Sequence, residues 1–189
     1  MIKVEFEIVG ASPYSPGKAI VSERGKQEDY RVFEERAWRE RMHVTSKGDV
    51  FIPPMALKCC LQEAAKYLAE SVPGKGKSTY TKHFEAGVMV TDPMYLGIKS
   101  DQVEGDWQFV PSDGKPGGGS RVWKCFPVVP TWTCKATVYI LDPTITNDVL
   151  ERYVGYAGQF IGMGRFRPRN RGYYGRFTVS NFKFTKVTG

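Results

Sequence analysis

The sequence lacks the features that mark membrane, secreted and disulfide-rich proteins. No apolar run approaches the roughly 18 residues needed to cross a bilayer. The first residues, Met1 to Phe6, alternate apolar and charged side chains, which is typical of a strand and not of a secretory signal. Four cysteines are too few and too irregularly spaced for a disulfide scaffold. We therefore expect a soluble cytoplasmic protein without a membrane partner.

The remaining composition favours one folded domain. Hydrophobic residues make up 41% of the chain and aromatic residues 13%, which excludes wholesale disorder. A length of 189 residues fits a single domain, and we expect residues 1–189 to form one.

Acidic residues are missing from the last fifth of the chain. No Asp or Glu follows Glu151, whereas eight of the 27 Lys and Arg residues lie beyond it. The last 38 residues therefore carry a charge of +8, and residues 1–151, with 19 basic against 20 acidic residues, carry −1. Such a one-sided basic region is typical of proteins that bind a polyanion. Basic residues that served only solubility would be spread along the chain.

Hydrophobic periodicity predicts a mixture of strands and helices. Alternation predicts strands at residues 2–9, 83–91, 121–129 and 134–141, and from about residue 176. Helical spacing predicts helices over residues 28–42, 54–70 and 146–161. This order fits an α+β fold with a modified ferredoxin-like (RRM-like) antiparallel sheet. The second and third helices would be its two crossovers, and residues 73–120 a projecting insertion. A change of parity at Ser180 and Asn181 predicts a bulge in the last strand.

The segment from Gly162 to Phe177 interleaves glycine, arginine and aromatic residues. Glycines let a ligand approach the backbone closely, and arginines offer paired donors to phosphate oxygens. Aromatic rings can stack on unpaired bases. We therefore expect this segment to bind single-stranded nucleic acid, RNA in preference to DNA. The contacts would come from Gly162, Gly164, Arg165, Phe166, Arg167, Arg169, Arg171, Gly172, Tyr173, Tyr174 and Arg176. The alternative is a hairpin whose glycines only make turns.

This segment resembles the C-terminal glycine-rich loop of the RAMP superfamily, the ferredoxin-like RNA-binding subunits of CRISPR effector complexes. In that family the loop also lies between the last helix and the last strand. The stretch Ile52–Lys58 resembles the family's "I-P-x-x-x-L-K" opening of the first helix, although Cys59 and Cys60 replace the small residues usual there. The resemblance implies that Lys58 contacts RNA and that residues 73–120 form a thumb-like insertion that separates bases. It also implies head-to-tail self-association along RNA, or assembly with other CRISPR-type subunits.

Further basic residues are second-rank candidates for phosphate contacts, namely Lys75, Lys77 and Lys82. The chain as a whole is also similar to uncharacterised bacteriophage proteins. That similarity implies a counter-defence role in the cytoplasm of a bacterial cell or a phage-infected host.

Two histidines leave an enzymatic alternative open. RAMP-type processing ribonucleases often use a histidine as general base towards a 2′-hydroxyl, with a lysine or tyrosine assisting. His83 follows Lys82 and lies near Tyr80, and His43 is the other candidate. Such an enzyme would be a metal-independent endoribonuclease. A third alternative is a CRISPR inhibitor that binds protein by imitating a backbone subunit. We favour the binding protein over both.

We expect neither a cofactor nor a metal site. Cys59 and Cys60 are adjacent on a predicted helix and point about 100° apart, so they cannot chelate as a C-x-x-C pair does. No phosphate-binding motif of the type G-x-x-x-x-G-K-[ST] is present.

Overall fold

A computed structural model describes residues 1–112, 114 and 119–187. Its strands are β1 (Ile2–Gly10), β2 (Asp49–Ile52), β3 (Val88–Met89), β4 (Met94–Lys99), β5 (Glu104–Pro111), β6 (Arg121–Val128), β7 (Thr133–Ile140) and β8 (Phe177–Lys186). Its α-helices are α1 (Tyr30–Ala37), α2 (Pro54–Leu68), α3 (Thr81–Ala86) and α4 (Asn147–Tyr156). No helix among these residues is long and apolar enough to span a membrane.

The central sheet has the ferredoxin-like strand order. Its four strands are arranged β3-β7-β1-β8, and every neighbouring pair is antiparallel. Helix α2 lies between β1 and β3 in the chain, and α4 connects β7 to β8. The core order is therefore β-α-β-β-α-β, which confirms the predicted fold class and both predicted crossover helices.

Both crossover helices bury an apolar stripe in the core that includes one side of β1. Val4, Phe6 and Ile8 alternate along β1 and are buried, as period-two spacing requires. The buried residues of the two helices are Leu57, Cys60, Leu61, Ala64 and Ala65 of α2, and Val149, Leu150, Tyr153 and Val154 of α4. Each large side chain buried in this way contributes roughly 1.5–3 kcal/mol to folding.

The bulge predicted in the last strand is present. The pairing of β1 with β8 shifts register between Glu5 and Glu7. Asn181 takes a positive φ of 57° there, and its side-chain amide donates to Glu7 Oε2 at 2.7 Å. The extra residue keeps Phe182 and Phe184 packed against the core after the change of parity.

The stretch 73–120 is not one continuous insertion, because the core strand β3 lies within it. Of the strand predicted for residues 83–91, only Val88–Met89 is a strand, and residues 83–86 belong to α3. Phe84 of this helix is buried four residues after the buried Tyr80. That spacing is helical. Outside the core sheet, β4 pairs with β2, and β5 pairs with β6 to form a two-stranded hairpin. Residues 113 and 115–118 of the stretch lie outside the described residues.

Candidate nucleic-acid interface

The glycine-rich segment forms a tight loop between α4 and β8. Helix α4 continues into one π-helical turn, Ala157–Ile161, and Gly162 N–H then donates to the Ala157 carbonyl. Backbone hydrogen bonds join Met163 N–H to Gly175 O at 3.0 Å and Gly175 N–H to Pro13 O at 2.7 Å. The loop is thereby fastened to the segment that follows β1.

The glycines of this loop are required by its own packing. Gly164 and Gly175 have φ angles of 84° and 69°, which favour glycine. A Cβ atom on Gly164 would overlap the Ser15 carbonyl oxygen, and one on Gly175 would overlap that of Met163. A Cβ on Gly172 would overlap the carbonyl oxygen of Phe166. These glycines are therefore required by the packing of the loop itself, and the expectation that they also admit a ligand to the backbone stays a prediction.

Arg165 is held between two aromatic rings. Its guanidinium carbon lies 3.1 Å from the centre of the Phe126 ring and 4.1 Å from that of Phe166. Nη2 donates to Gln108 Oε1 at 2.9 Å, whereas Nη1 is buried with no partner among the described residues. Burial lowers the pKa of Arg165 to about 10, which leaves the side chain charged at neutral pH.

Two other arginines of the loop share one acidic partner. Arg167 Nη2 donates to Glu63 Oε1 of α2 at 2.6 Å, and Arg169 Nε lies 3.9 Å from the second carboxylate oxygen. Arg167 Nε is nevertheless buried without a partner among the described residues. The Arg176 guanidinium donates to the Gln159 carbonyl at 3.3 Å, and its backbone N–H donates to Ser12 Oγ at 2.9 Å. Arg171 is exposed at the end of the turn Pro168–Asn170.

A cleft of about 400 Å³ opens beside Arg165 and Arg167. We call it the basic cleft; it is lined by Tyr14, Gly17, Lys18, Arg41, His43, Pro53, Ala56, Phe126, Gly164, Arg165 and Arg167. Arg41 is neutralised by the buried Glu34, to which both of its terminal nitrogens donate at 2.9 Å. Lys18 and Arg165 form no ion pair with any described residue. They therefore supply the uncompensated positive charge of the cleft.

His43 lies in the same cleft. Burial, and to a smaller degree the neighbouring Lys18 ammonium, lower the pKa of His43 from its ordinary value. The imidazole is consequently neutral at pH 7. Its ring centre lies 5.8 Å from that of Phe51 on β2.

The three aromatic residues of the loop differ in accessibility. Tyr173 and Phe166 are 59% and 45% exposed, whereas Tyr174 is buried against Tyr173 with 4.4 Å between the ring centres. Burial, and then the hydrogen bond with Tyr173, raise the pKa of Tyr174 to about 12. Of these three residues Tyr173 and Phe166 are the exposed ones, and the buried Tyr174 does not fit the stacking role expected of it.

Lys58 is placed in the structure as a cap of α3. Its ammonium donates to three carbonyl oxygens, those of Phe84 at 2.7 Å, Glu85 at 2.9 Å and Val88 at 2.6 Å. An ammonium has three N–H donors, so all of them are used. Burial lowers the pKa of Lys58. The RNA contact implied by the resemblance therefore gives way to a bridge between α2 and the end of α3.

The second-rank lysines and His83 lie at the other end of the sheet. Gly10 of β1 pairs with Phe177, next to the glycine-rich loop, whereas Ile2 pairs with Ile140. Just beyond Ile140, Lys75 donates to Thr144 Oγ1 at 2.8 Å, and His83 Nδ1 donates to Asp142 Oδ2 at 2.6 Å. Lys77 and Lys82 belong to the segments that contribute these contacts. The structure therefore does not bring Lys75, Lys77, Lys82 or His83 into the basic cleft.

Sequence reasoning missed four contributors to the site: Lys18, Arg41, Phe126 and Gln108. They come from the segment after β1, from the turn before β2 and from the hairpin. No local motif marks them, because only the fold places them beside Arg165, which is 39 or more residues away in sequence. No group of three or more His, Cys, Asp or Glu side chains that could hold a metal ion is found in the described part of the chain.

Comparisons with known proteins identify the fold. No family model matches the chain, and no curated protein matches it. A chain in the cryo-EM structure of the type III-B Cmr-beta bound to cognate target RNA aligns with a TM-score of 0.58 and 12% identity. The alignment covers 98% of this protein but 61% of that chain. The crystal structure of Cmr6 from Pyrococcus furiosus aligns with a TM-score of 0.51 and 14% identity, covering 94% and 98%.

The protein has a RAMP-like fold. The resemblance seen in the glycine-rich segment and at Ile52–Lys58 is thereby confirmed at the level of the fold. In this RAMP-like fold the loop lies between the last core helix and the last core strand, as the resemblance implied.

Proposed function

We propose that the protein binds single-stranded RNA in the basic cleft, holding the sugar–phosphate backbone without cutting it. The observation that carries this proposal is the pair of buried guanidinium donors, Arg165 Nη1 and Arg167 Nε, which have no partner among the described residues. A buried donor without a partner costs roughly 1–3 kcal/mol. Both arginines line the cleft, so a phosphate bound there would lie beside their guanidinium groups and would satisfy these donors once the side chains turn towards it.

The charges around the cleft support a polyanion as the ligand. On the cleft wall, Lys18, His43 and Arg165 form no ion pair with any described residue. Outside the cleft, the exposed Arg171 and the loosely held Arg169 and Arg176 extend the basic surface along the loop. Arginine is suited to this role because its donors match phosphate oxygens in pairs.

The exposed rings of Tyr173 and Phe166 support a single strand over a duplex. Unpaired bases stack on aromatic side chains with contributions of about 1–3 kcal/mol per base, whereas a duplex keeps its bases stacked internally. The chain of similar fold comes from a structure of Cmr-beta bound to cognate target RNA, which favours RNA over DNA as the ligand of this protein.

The resemblance to backbone-type RAMP subunits supports a wider assembly. Head-to-tail self-association along RNA, or docking onto other CRISPR-type subunits, would place several clefts along one strand. RNA that copurifies with such a filament would show a ladder of regular length increments, whereas a single RNA-bound subunit would give no ladder.

A second candidate function is metal-independent RNA cleavage by His43. The position of His43 in the basic cleft favours it over His83, which is hydrogen-bonded to Asp142 at the other end of the sheet. A neutral imidazole beside the bound strand could accept the proton of a 2′-hydroxyl.

The cleft can be tested with a fluorescein-labelled 12-nucleotide RNA and its DNA counterpart, titrated by anisotropy over a salt series. Lys18→Gln and Arg165→Gln are each expected to weaken RNA binding about fivefold and to reduce the slope of log K against log[salt] by about 0.7. Lys77→Gln and Lys82→Gln remove the same charge at the other end of the sheet and serve as matched controls. They are expected to change affinity less than twofold.

Equal losses in all four variants would contradict the cleft and indicate diffuse charge attraction. An inhibitor that binds a protein partner would show negligible binding of the RNA and of the DNA, even in dilute buffer. If RNA incubated with the protein and a chelator is recovered intact, the protein binds RNA without metal-independent cleavage. Cleavage that is lost in His43→Ala would establish the second candidate.

A further inference from the structure

The β5–β6 hairpin has two different faces. Phe126 and Gln108 contact Arg165 from one face. Residues on the other face are identified by the strand register, in which Trp107 is opposite Cys125 and Phe109 is opposite Trp123. Residues opposite each other in an antiparallel pair share a face. The hairpin therefore has one side on the basic cleft and a second side away from it.

The second face is covered at one end and open at the other. Near Gly105 the face is closed by Trp38, and Cys125 is buried there. Further along, Trp107, Phe109 and Trp123 are 37%, 49% and 45% exposed. Contiguous exposed aromatic side chains of this kind are typical of binding surfaces.

Two of these rings and one arginine enclose a cavity of about 260 Å³. We call it the hairpin pocket; its lining is Arg31 of α1 together with Trp107 and Trp123. The Arg31 guanidinium carbon lies 5.9 Å from the centre of the Trp107 ring. Arg31 pairs with Glu35 at 3.3 Å, but both side chains are more than half exposed, and such pairs contribute little. The guanidinium is thus available to a ligand.

We propose that the hairpin pocket is a second site, which binds an unpaired nucleobase of the RNA strand held in the basic cleft. Indole rings and a guanidinium plane are the groups on which single-stranded bases stack, and the positive charge of Arg31 complements the adjoining phosphate. The cleft and the pocket lie on opposite faces of the same two-stranded hairpin, so a strand that leaves the cleft passes around the edge of the hairpin to reach the pocket. This inference rests on the proposed function.

The test compares a 12-nucleotide oligoadenylate RNA with an abasic ribose–phosphate strand of equal length, which has the same charge and no bases. The wild-type protein is expected to bind the oligoadenylate about tenfold more tightly. The double variant Trp107→Leu/Trp123→Leu keeps the surface apolar but cannot stack. It is expected to retain only the part of this preference that Tyr173 and Phe166 supply, while keeping its affinity for the abasic strand and its salt slope. Tyr95→Leu, an exposed aromatic residue on β4, is the matched control and should keep the preference.

Free adenosine tests the pocket independently of the cleft, because it has no phosphate. Millimolar adenosine is expected to quench tryptophan fluorescence in the wild-type protein and markedly less in the double variant. If the double variant retains the full oligoadenylate preference, or adenosine quenches both proteins equally, the pocket assignment is overturned. A double variant that converts a dimer into a monomer in sedimentation while keeping the base preference would show that the surface binds a second copy. If RNA does not bind in the basic cleft at all, the result differs from a failure of the pocket alone. Binding of both strands would then lack salt dependence and would not respond to Lys18→Gln.

Discussion

The two ends of the core sheet both carry basic residues, but their donors differ in what they bind. At one end, Arg165 and Arg167 each bury a guanidinium N–H that has no partner among the described residues. At the other, Lys58 donates to three carbonyl oxygens, and His83 is paired with Asp142. The number of positive charges is therefore a poor guide to a ligand site; donors left free by the fold are a better one.

The difference follows from what each set of charges does for the folded chain. A satisfied ammonium such as that of Lys58 stabilises the protein without any ligand. An orphaned guanidinium N–H destabilises it by roughly 1–3 kcal/mol until something binds. The two ends differ less in net charge than in free donors, because Glu63 neutralises Arg167 in part and lies near Arg169. Variants at both ends of the sheet test whether free donors, and not the number of positive charges, determine RNA binding.

The largest expected effect is on the loop that presents the free donors. Gly175→Ala forces a side chain into a position with φ of 69°, where its Cβ would overlap the Met163 carbonyl. We expect a loss of about 3 kcal/mol in the free energy of unfolding, measured by urea denaturation. RNA affinity should fall as well, because the loop that carries Arg165 is held by Gly175.

Gly155→Ala on α4 is the control, because a Cβ there meets no described atom within 4 Å. Alanine is favoured over glycine in a helix, so this variant should be unchanged or more stable by up to about 1 kcal/mol. Equal behaviour of the two variants would show that the loop is not rigid, and the orphaned donors would then lose their significance.

The next effect concerns Lys58. Lys58→Met keeps most of the apolar stem but removes the three hydrogen bonds to α3 and β3, and should cost about 2 kcal/mol of unfolding free energy. The salt slope of RNA binding should not change. Lys66→Met on the same helix removes only an exposed ion pair with Glu85 and should cost less than about 0.5 kcal/mol. A lower salt slope in Lys58→Met would contradict the capping role and restore the RNA contact.

The core elements could be predicted because their periodicity is long and local. Helix α2 repeats Leu57, Leu61, Ala64 and Ala65 on one side, and β1 alternates over nine residues. The start of α4 could be predicted from the capping residue Thr146 and the acidic Asp148 in the first turn, which are also local signals. Strand β3 has two residues and α3 has six, which is too short for either pattern to dominate.

The candidate site was only half predictable. Composition indicated the loop, since glycine and arginine are adjacent in the chain. Its partners Lys18 and Gln108 are more than 50 residues from Arg165, and the pairing of Arg167 with Glu63 also depends on the fold. Whether a given arginine is free or neutralised is a property of tertiary contacts, which no local pattern contains.

The smallest expected effect concerns Asp142, the acid that is paired with His83 at the end of the sheet away from the basic cleft. Burial would raise the pKa of Asp142, but the hydrogen bonds from His83 and Thr144 outweigh it and lower the pKa to about 2. A carboxyl whose pKa is lowered by folding contributes stability above its unfolded pKa, and that contribution is lost as the pH falls through the folded value. Asp142→Asn should therefore cost about 1 kcal/mol at pH 7, reduced by solvent screening from what the shift alone implies.

The difference between wild type and Asp142→Asn should close as the pH falls from about 4 towards 2, measured by urea unfolding at each pH. Asp101→Asn, an exposed acid, should change stability by less than about 0.5 kcal/mol at any pH. RNA affinity should be the same in both variants, because neither residue lies in the basic cleft. Loss of RNA binding or cleavage in Asp142→Asn would mean that the His83–Asp142 pair acts on RNA, and the two ends of the sheet would then share one function.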